Sequence, residues 1–175
     1  TPYVAGLPLA VIAGQEVPET ISYKDIPEAD PSPYTAYGTY VGIKAAAKFA
    51  LSKDNLKGLR ITIKGYGNVS STLCDYLYSE GAKLFITDID QSKRDIVEQK
   101  YGNGSWVSDH SEIMAVPADI YVPAALGADI NDQTIEVLVG AGVSIVAGCA
   151  NNQLAEHKHG KLLLERGICY APDYV

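Results

Sequence analysis

RITIKGYGNVSSTLCDYLYSEGAKLFITD, residues Arg60 to Asp88, reads as one β-turn-α-β unit. Ile61, Thr62 and Ile63 form a short β-rich run, and the chain then turns through Gly65-Tyr66-Gly67-Asn68-Val69-Ser70. Val69, Leu73, Tyr76 and Leu77 recur at helical spacing, and Leu84 to Thr87 form a second β-rich run ending on Asp88. The turn carries G-x-G-x-x-S. Gly65 allows a tight exit from the strand, and Gly67 leaves no side chain between the backbone and a pyrophosphate. Ser70 is small enough for helix and strand to pack closely. The helix N-terminus then presents free N–H groups and partial positive charge to phosphate. Asp88 falls roughly 20 positions beyond the turn, where a carboxylate accepts hydrogen bonds from adenosine ribose hydroxyls and repels a 2′-phosphate. The unit therefore favours NAD over NADP. A purely structural strand-to-helix turn would share the glycines. Methyltransferases that bind S-adenosylmethionine use a similar turn and acid, so the remaining chain has to separate these readings.

At 175 residues the chain suits one domain with a buried core. Its 47% hydrophobic and 20% charged residues are ordinary for a soluble globular protein. A formal charge of −7, with no basic run, argues against nucleic acid as a partner. Cys74, Cys149 and Cys169 are widely spaced and show no metal-ligand pattern, which suits buried thiols in a reduced, cytoplasmic setting. No apolar stretch reaches transmembrane length and no secretory signal is present, so no membrane partner is expected. The chain starts at Thr1 and stops at Val175 in what reads as a strand or its exit loop. A fragment of a longer protein is the expectation.

Residues 1–30 are rich in Pro and Gly and read as linker, leaving 31–175 as the dinucleotide-binding unit. A helix is predicted from Asp30-Pro31-Ser32-Pro33, with Ser32 as cap and Pro33 in the first turn, running to about Leu51. Val41, Ile43, Ala45, Ala46, Ala47 and Phe49 make it apolar enough to pack against a sheet. Beyond Asp88, Asp90 caps a polar helix reaching Tyr101, and a short strand is predicted at Trp106-Val107. A helical turn follows near Glu112 to Ala115, then a buried strand from Asp119 to Pro123 and the small-residue loop Ala124-Ala125-Leu126-Gly127. Asp132 to Val139 reads as helix, Ser144 to Val146 as strand, about Leu154 to Arg166 as helix and Ile168 to Tyr170 as the last strand. Alternation on short connections predicts an α/β protein, a doubly wound parallel sheet of Rossmann type. The Gly65 turn, the Ala124–Gly127 loop and the Asn151-Asn152 loop then share the carboxyl edge, where such sheets bind ligands.

Four stretches together resemble the Glu/Leu/Phe/Val dehydrogenase family, most of all its leucine branch. They are DPSPYTAYG from Asp30, GYGNV from Gly65, PAALG from Pro123 and AGCANNQL from Ala147, with the closing APDYV from Ala171 also matching. The methyltransferase families considered do not carry the first and fourth together. The resemblance implies NAD-dependent oxidative deamination of an apolar L-amino acid, leucine or another branched-chain one foremost, to its 2-oxo acid and ammonium. It implies that Gly65, Gly67, Asn68 and Val69 hold the pyrophosphate, and that Asp88 and Ile89 surround the adenosine ribose. Ala124, Ala125 and Leu126 would line the cleft, with Thr35 and Asn152 on the nicotinamide carboxamide and Asn152 also near the substrate amino group. Ala124 stands where Cys is expected, and Ser70 where Ala or Gly is usual.

The lysine and aspartate that do the family's chemistry belong to an N-terminal substrate domain that these residues do not match. No catalytic residue is therefore assigned, and the fragment is expected to be inactive alone. The parent would be a homo-oligomer binding NAD(H) and, through that other domain, a small amino acid. A non-catalytic nucleotide-binding module is the competing class. Lys64 and Lys44 read as solvated or snorkelling side chains. His157 and His159 diverge on a helix end, too poorly placed for a metal pair. Asp129, Asp132 and Glu136 read as caps and a solvated face, and Tyr34, Tyr37 and Tyr40 as packing towards the other domain.

Overall fold

The computed structural model describes residues 31–172. The linker expected over 1–30 and the last three residues of APDYV lie outside the described residues. Five strands form one parallel sheet: β1 (Arg60–Lys64), β2 (Lys83–Thr87), β3 (Ile120–Pro123), β4 (Ile145–Ala147) and β5 (Cys169–Ala171). Their order across the sheet is β2-β1-β3-β4-β5. The order reverses between β1 and β3, which is the switch point of a doubly wound sheet.

Side-chain alternation in the strands builds a core on each face. Ile61, Ile63, Ile120, Val122 and Ile145 bury on one side, packed with helices α1 (Ser32–Leu51), α2 (Asn68–Ser79) and α3 (Arg94–Tyr101). Tyr121 and Val146 point the other way, onto α4 (Asp132–Gly140) and α5 (Lys158–Glu165), with Ile135, Leu138 and Leu163. The helical spacing read for α2 is borne out: Leu73 and Leu77 are fully buried, and Val69 and Tyr76 pack against the same core.

The differences from the sequence expectation have local causes. Pro31, not Ser32, occupies the cap position of α1, with no side-chain cap bond. Proline there presets the backbone and removes a donor that would have had no partner. Phe49 is exposed, although α1 does pack on the sheet through Ile43, Ala46 and Ala47. The strand expected at Trp106-Val107 shrinks to a single parallel bridge, with Val107 N–H donating to the Ile86 carbonyl at 2.8 Å. Helix α5 starts at Lys158 rather than Leu154, because Leu154 is taken by a bridge to Ile130. Asp90 caps as expected, accepting the Ser92 N–H, but it starts a 3-10 turn (Gln91–Lys93) ahead of α3.

Candidate functional site

Parallel pairing aligns Lys64 with both Thr87 and Pro123, so the loops after β1, β2 and β3 leave the same edge side by side. Gly65 turns there with φ +108°, and a Cβ on it would lie 2.9 Å from the Ala124 carbonyl group. Only glycine fits both the backbone and the gap. The Ala124–Gly127 loop then touches the Asn151-Asn152 loop: Ala128 N–H donates to the Asn152 carbonyl at 2.7 Å. The three loops expected at the carboxyl edge are thus one continuous rim carrying Gly65, Ala124, Ala125, Leu126 and Asn152.

Gly67 differs from Gly65 in both respects. Its φ is −98°, an ordinary value, and a Cβ there would meet nothing within 4 Å. Open space lies where the pyrophosphate is expected. Asn68 and Val69 begin α2, so their N–H groups have no carbonyl one turn back in the helix. Ser70 is buried, and its Oγ accepts the Gly67 N–H at 2.8 Å. The departure from Ala or Gly at this position therefore satisfies the amide just before the two that face outward.

Asp88 is engaged on both oxygens. One accepts the Tyr66 N–H at 2.7 Å and lies 3.1 Å from Lys93 Nζ, and the other accepts the Asp90 N–H at 2.9 Å. Burial pushes this carboxyl up, but the two backbone N–H groups and Lys93 outweigh it and hold Asp88 below the usual carboxylate range. Ile89 and Leu126, on the loops after β2 and β3, leave 83% and 84% of themselves in solvent. A cradle open above Gly67, an anion-ready helix end, an ionised acid and two exposed apolar side chains fit a dinucleotide.

Thr35 lies in the first turn of α1, half-buried, with Oγ1 donating to the Pro31 carbonyl at 3.3 Å. One turn on, Gly38, Thr39 and Gly42 share an apolar cleft of about 280 Å³ with Ala147 and Gly148 at the end of β4. The helix of Thr35 therefore adjoins the strand from which the Asn152 loop departs. Asn152 is exposed and holds a left-handed backbone, φ +51°, which Asn tolerates better than most residues.

Several polar side chains are held more tightly than their sequence surroundings predict. Lys64 is no solvated lysine: its Nζ donates to Asp129 at 2.6 Å, both side chains are mostly buried, and Tyr121 Oη donates to the same carboxylate. Asp129 is accordingly neither cap nor solvated face, and the cap of α4 is Asn131. Lys44 bridges to Glu80 at 2.7 Å, beside Tyr40. Tyr37 and Tyr40 pack on Tyr76 of α2 within this domain, whereas Tyr34 stays exposed. His159 is buried, not an exposed helix end. Its Nδ1 accepts the Glu156 N–H, and its Nε2 lies 3.3 Å from Asp132. Glu136 does lie on a solvated face as read, where it accepts from Arg166 Nε at 2.7 Å. Sequence spacing gives no role to Lys93, nor to Gly148 within AGCANNQL. No local pattern marks them, since each matters only through a neighbouring strand or loop.

A parallel sheet in doubly wound order, with a glycine turn at its switch point, defines a Rossmann-type α/β protein. The chain belongs to the Glutamate/Leucine/Phenylalanine/Valine dehydrogenase family, whose model matches residues 85–175. It is 42% identical to leucine dehydrogenase of Bacillus cereus across 99% of this chain and 50% of that protein. It is 51% identical to leucine dehydrogenase of Thermoactinomyces intermedius across 83% of this chain and 38% of that one. The crystal structure of L-tryptophan dehydrogenase from Nostoc punctiforme superposes with a TM-score of 0.77 at 36% identity, covering 92% of this chain and 48% of that chain. The chain spans about half the length of the curated relatives it matches.

Proposed function

We propose that this chain supplies the NAD-binding side of the cleft in an amino-acid dehydrogenase that oxidises an apolar L-amino acid, leucine or a branched-chain relative foremost. The products are the 2-oxo acid and ammonium. The observation carrying this reading is the open cradle over Gly67, flanked by the first turn of α2 and by Asp88. The leucine, tryptophan and phenylalanine dehydrogenases among its relatives support an apolar amino acid as substrate. Nicotinamide, when bound, supplies the hydride acceptor.

The residues of this chain bind and orient. The N–H groups of Asn68 and Val69 take the pyrophosphate, Asp88 and Ile89 the adenosine ribose and its surroundings, and Leu126 lines the cleft between adenosine and nicotinamide. Thr35 and Asn152 fix the carboxamide, which offers one acceptor and two donors that a hydroxyl and an amide satisfy together. No group in this chain is assigned the proton transfer. That role, with most of the substrate pocket, falls to a second domain in a cytoplasmic homo-oligomer, and this chain alone is expected not to oxidise leucine.

Asn152→Ala and Thr35→Ala test the orientation role in the complete protein that carries this chain. Losing one neutral hydrogen bond removes about 0.5–1.5 kcal/mol, and a misdirected ring loses near-attack geometry. With leucine and NAD, turnover is expected to fall about tenfold with NADH affinity nearly kept. A lowered melting temperature with unchanged kcat would make both residues structural. No leucine-dependent NADH formation by the complete wild-type protein would remove the leucine assignment.

A further inference from the structure

We infer that Lys93 is a cofactor-selectivity residue: its ammonium, parked on Asp88, admits a 2′-phosphate that Asp88 alone would exclude. This rests on the dinucleotide reading of the Gly67 cradle and deepens it at the ribose end.

The placement is built rather than incidental. Asp90 caps the 3-10 turn and commits its carboxylate locally, Oδ1 accepting the Ser92 N–H at 3.1 Å and the Ser92 hydroxyl at 2.6 Å. That turn delivers Lys93 at its last position, with Nζ 3.1 Å from Asp88 Oδ2. The next cation along, Arg94, is directed away, its Nε on Glu98 at 3.3 Å. Among the described residues, Lys93 is therefore the cation paired with Asp88.

The ammonium occupies one of the acceptor positions of Asp88. Asp88 Oδ2 already holds two donors, the Tyr66 N–H and Lys93, while Oδ1 holds one, the Asp90 N–H. A carboxylate oxygen accepts about two hydrogen bonds. One ribose hydroxyl can join Oδ1 directly, but a second can reach Oδ2 only where Lys93 steps aside. An ammonium on a flexible four-carbon stem steps aside by a few ångströms and stays next to the 2′ position. With NAD it finds no anion there. With NADP it meets a phosphate and makes a charge-assisted hydrogen bond, offsetting the repulsion from Asp88.

The deciding experiment titrates wild-type chain, Lys93→Gln and Lys93→Arg with NADH and with NADPH, following binding by calorimetry, with melting temperatures beside them. Lys93→Gln is expected to weaken NADPH about tenfold or more, the size of one lost charge-assisted bond, while NADH changes by less than about threefold. Lys93→Arg keeps the charge and should keep NADPH binding. Raising salt should weaken NADPH binding to the wild type more than to Lys93→Gln. An NADPH-to-NADH affinity ratio in Lys93→Gln within about twofold of the wild type overturns the selectivity role, including the case in which both cofactors weaken together because Lys93 only props Asp88. A wild-type chain that melts cooperatively yet binds neither cofactor fails differently, since it removes the dinucleotide reading itself.

Discussion

Gly148→Ala is expected to destabilise the chain by about 3 kcal/mol or more, lowering the melting temperature by roughly 6–12 °C at this size. A Cβ at Gly148 would stand 2.2 Å from the Pro123 carbonyl oxygen, 2.7 Å from its Cδ and 2.8 Å from its nitrogen. None of these is the tip of a flexible side chain. They belong to the end of β3, whose residues are all buried and which is paired to β1 on one side and β4 on the other. Pro123 is further fixed by accepting the Ala150 N–H at 3.0 Å. Relief therefore requires parting two central strands at the edge that carries the candidate site. Gly140→Ala is the matched control, because a Cβ there meets nothing within 4 Å and lies at the end of a helix. It should be neutral or slightly stabilising. Thermal unfolding of both variants checks the contrast. A Gly148→Ala melting point within about 2 °C of the wild type would contradict the packing described for the strand ends.

Gly67→Leu should have the opposite signature, an intact fold and lost cofactor binding. The backbone at Gly67 has an ordinary φ and the space above it is open, so the fold has room for a side chain. Replacing glycine at a helix cap costs about 1 kcal/mol at most, a few degrees of melting temperature. The leucine would fill the gap through which a pyrophosphate approaches the N–H groups of Asn68 and Val69. NADH affinity should drop about a hundredfold or more, nearly 3 kcal/mol. Unchanged NADH affinity in a variant carrying that side chain would move the pyrophosphate off this turn. Gly65→Ala, by contrast, should damage stability and binding together, since its Cβ would strike Ala124 and its φ of +108° disfavours any side chain.

The fold was legible because its signals are local. Short β-rich apolar runs, the amphipathic spacing of Leu73 and Leu77, and the glycines at Gly65 and Gly67 each report on their own few residues. The doubly wound arrangement followed from alternation and handed crossovers, whereas the strand order had to be seen in the structure. Local reading failed where a partner distant in sequence decided the outcome. Lys64 looks like any strand-end lysine until the fold brings Asp129 to 2.6 Å. His159 looks like a polar helix residue until Asp132 of α4 reaches its Nε2. The same holds within the site. Asp88 stood out by its distance from the glycine turn, but its charge partner Lys93 depends on a 3-10 turn whose geometry spacing does not reveal. Leu154 reads as helix by its surroundings, yet Ile130 claims it in a bridge.

We propose that the rim built from the Gly65 turn, the Ala124–Gly127 loop and the Asn151-Asn152 loop binds a nicotinamide dinucleotide. Parallel calorimetric titrations of the chain with NADH and with S-adenosylmethionine test it most directly, once a cooperative melting transition has verified the fold. Saturable binding of NADH at one site per chain, with no heat from S-adenosylmethionine, is the expected result. Saturable S-adenosylmethionine binding, or a folded chain that takes up no NADH, would contradict it.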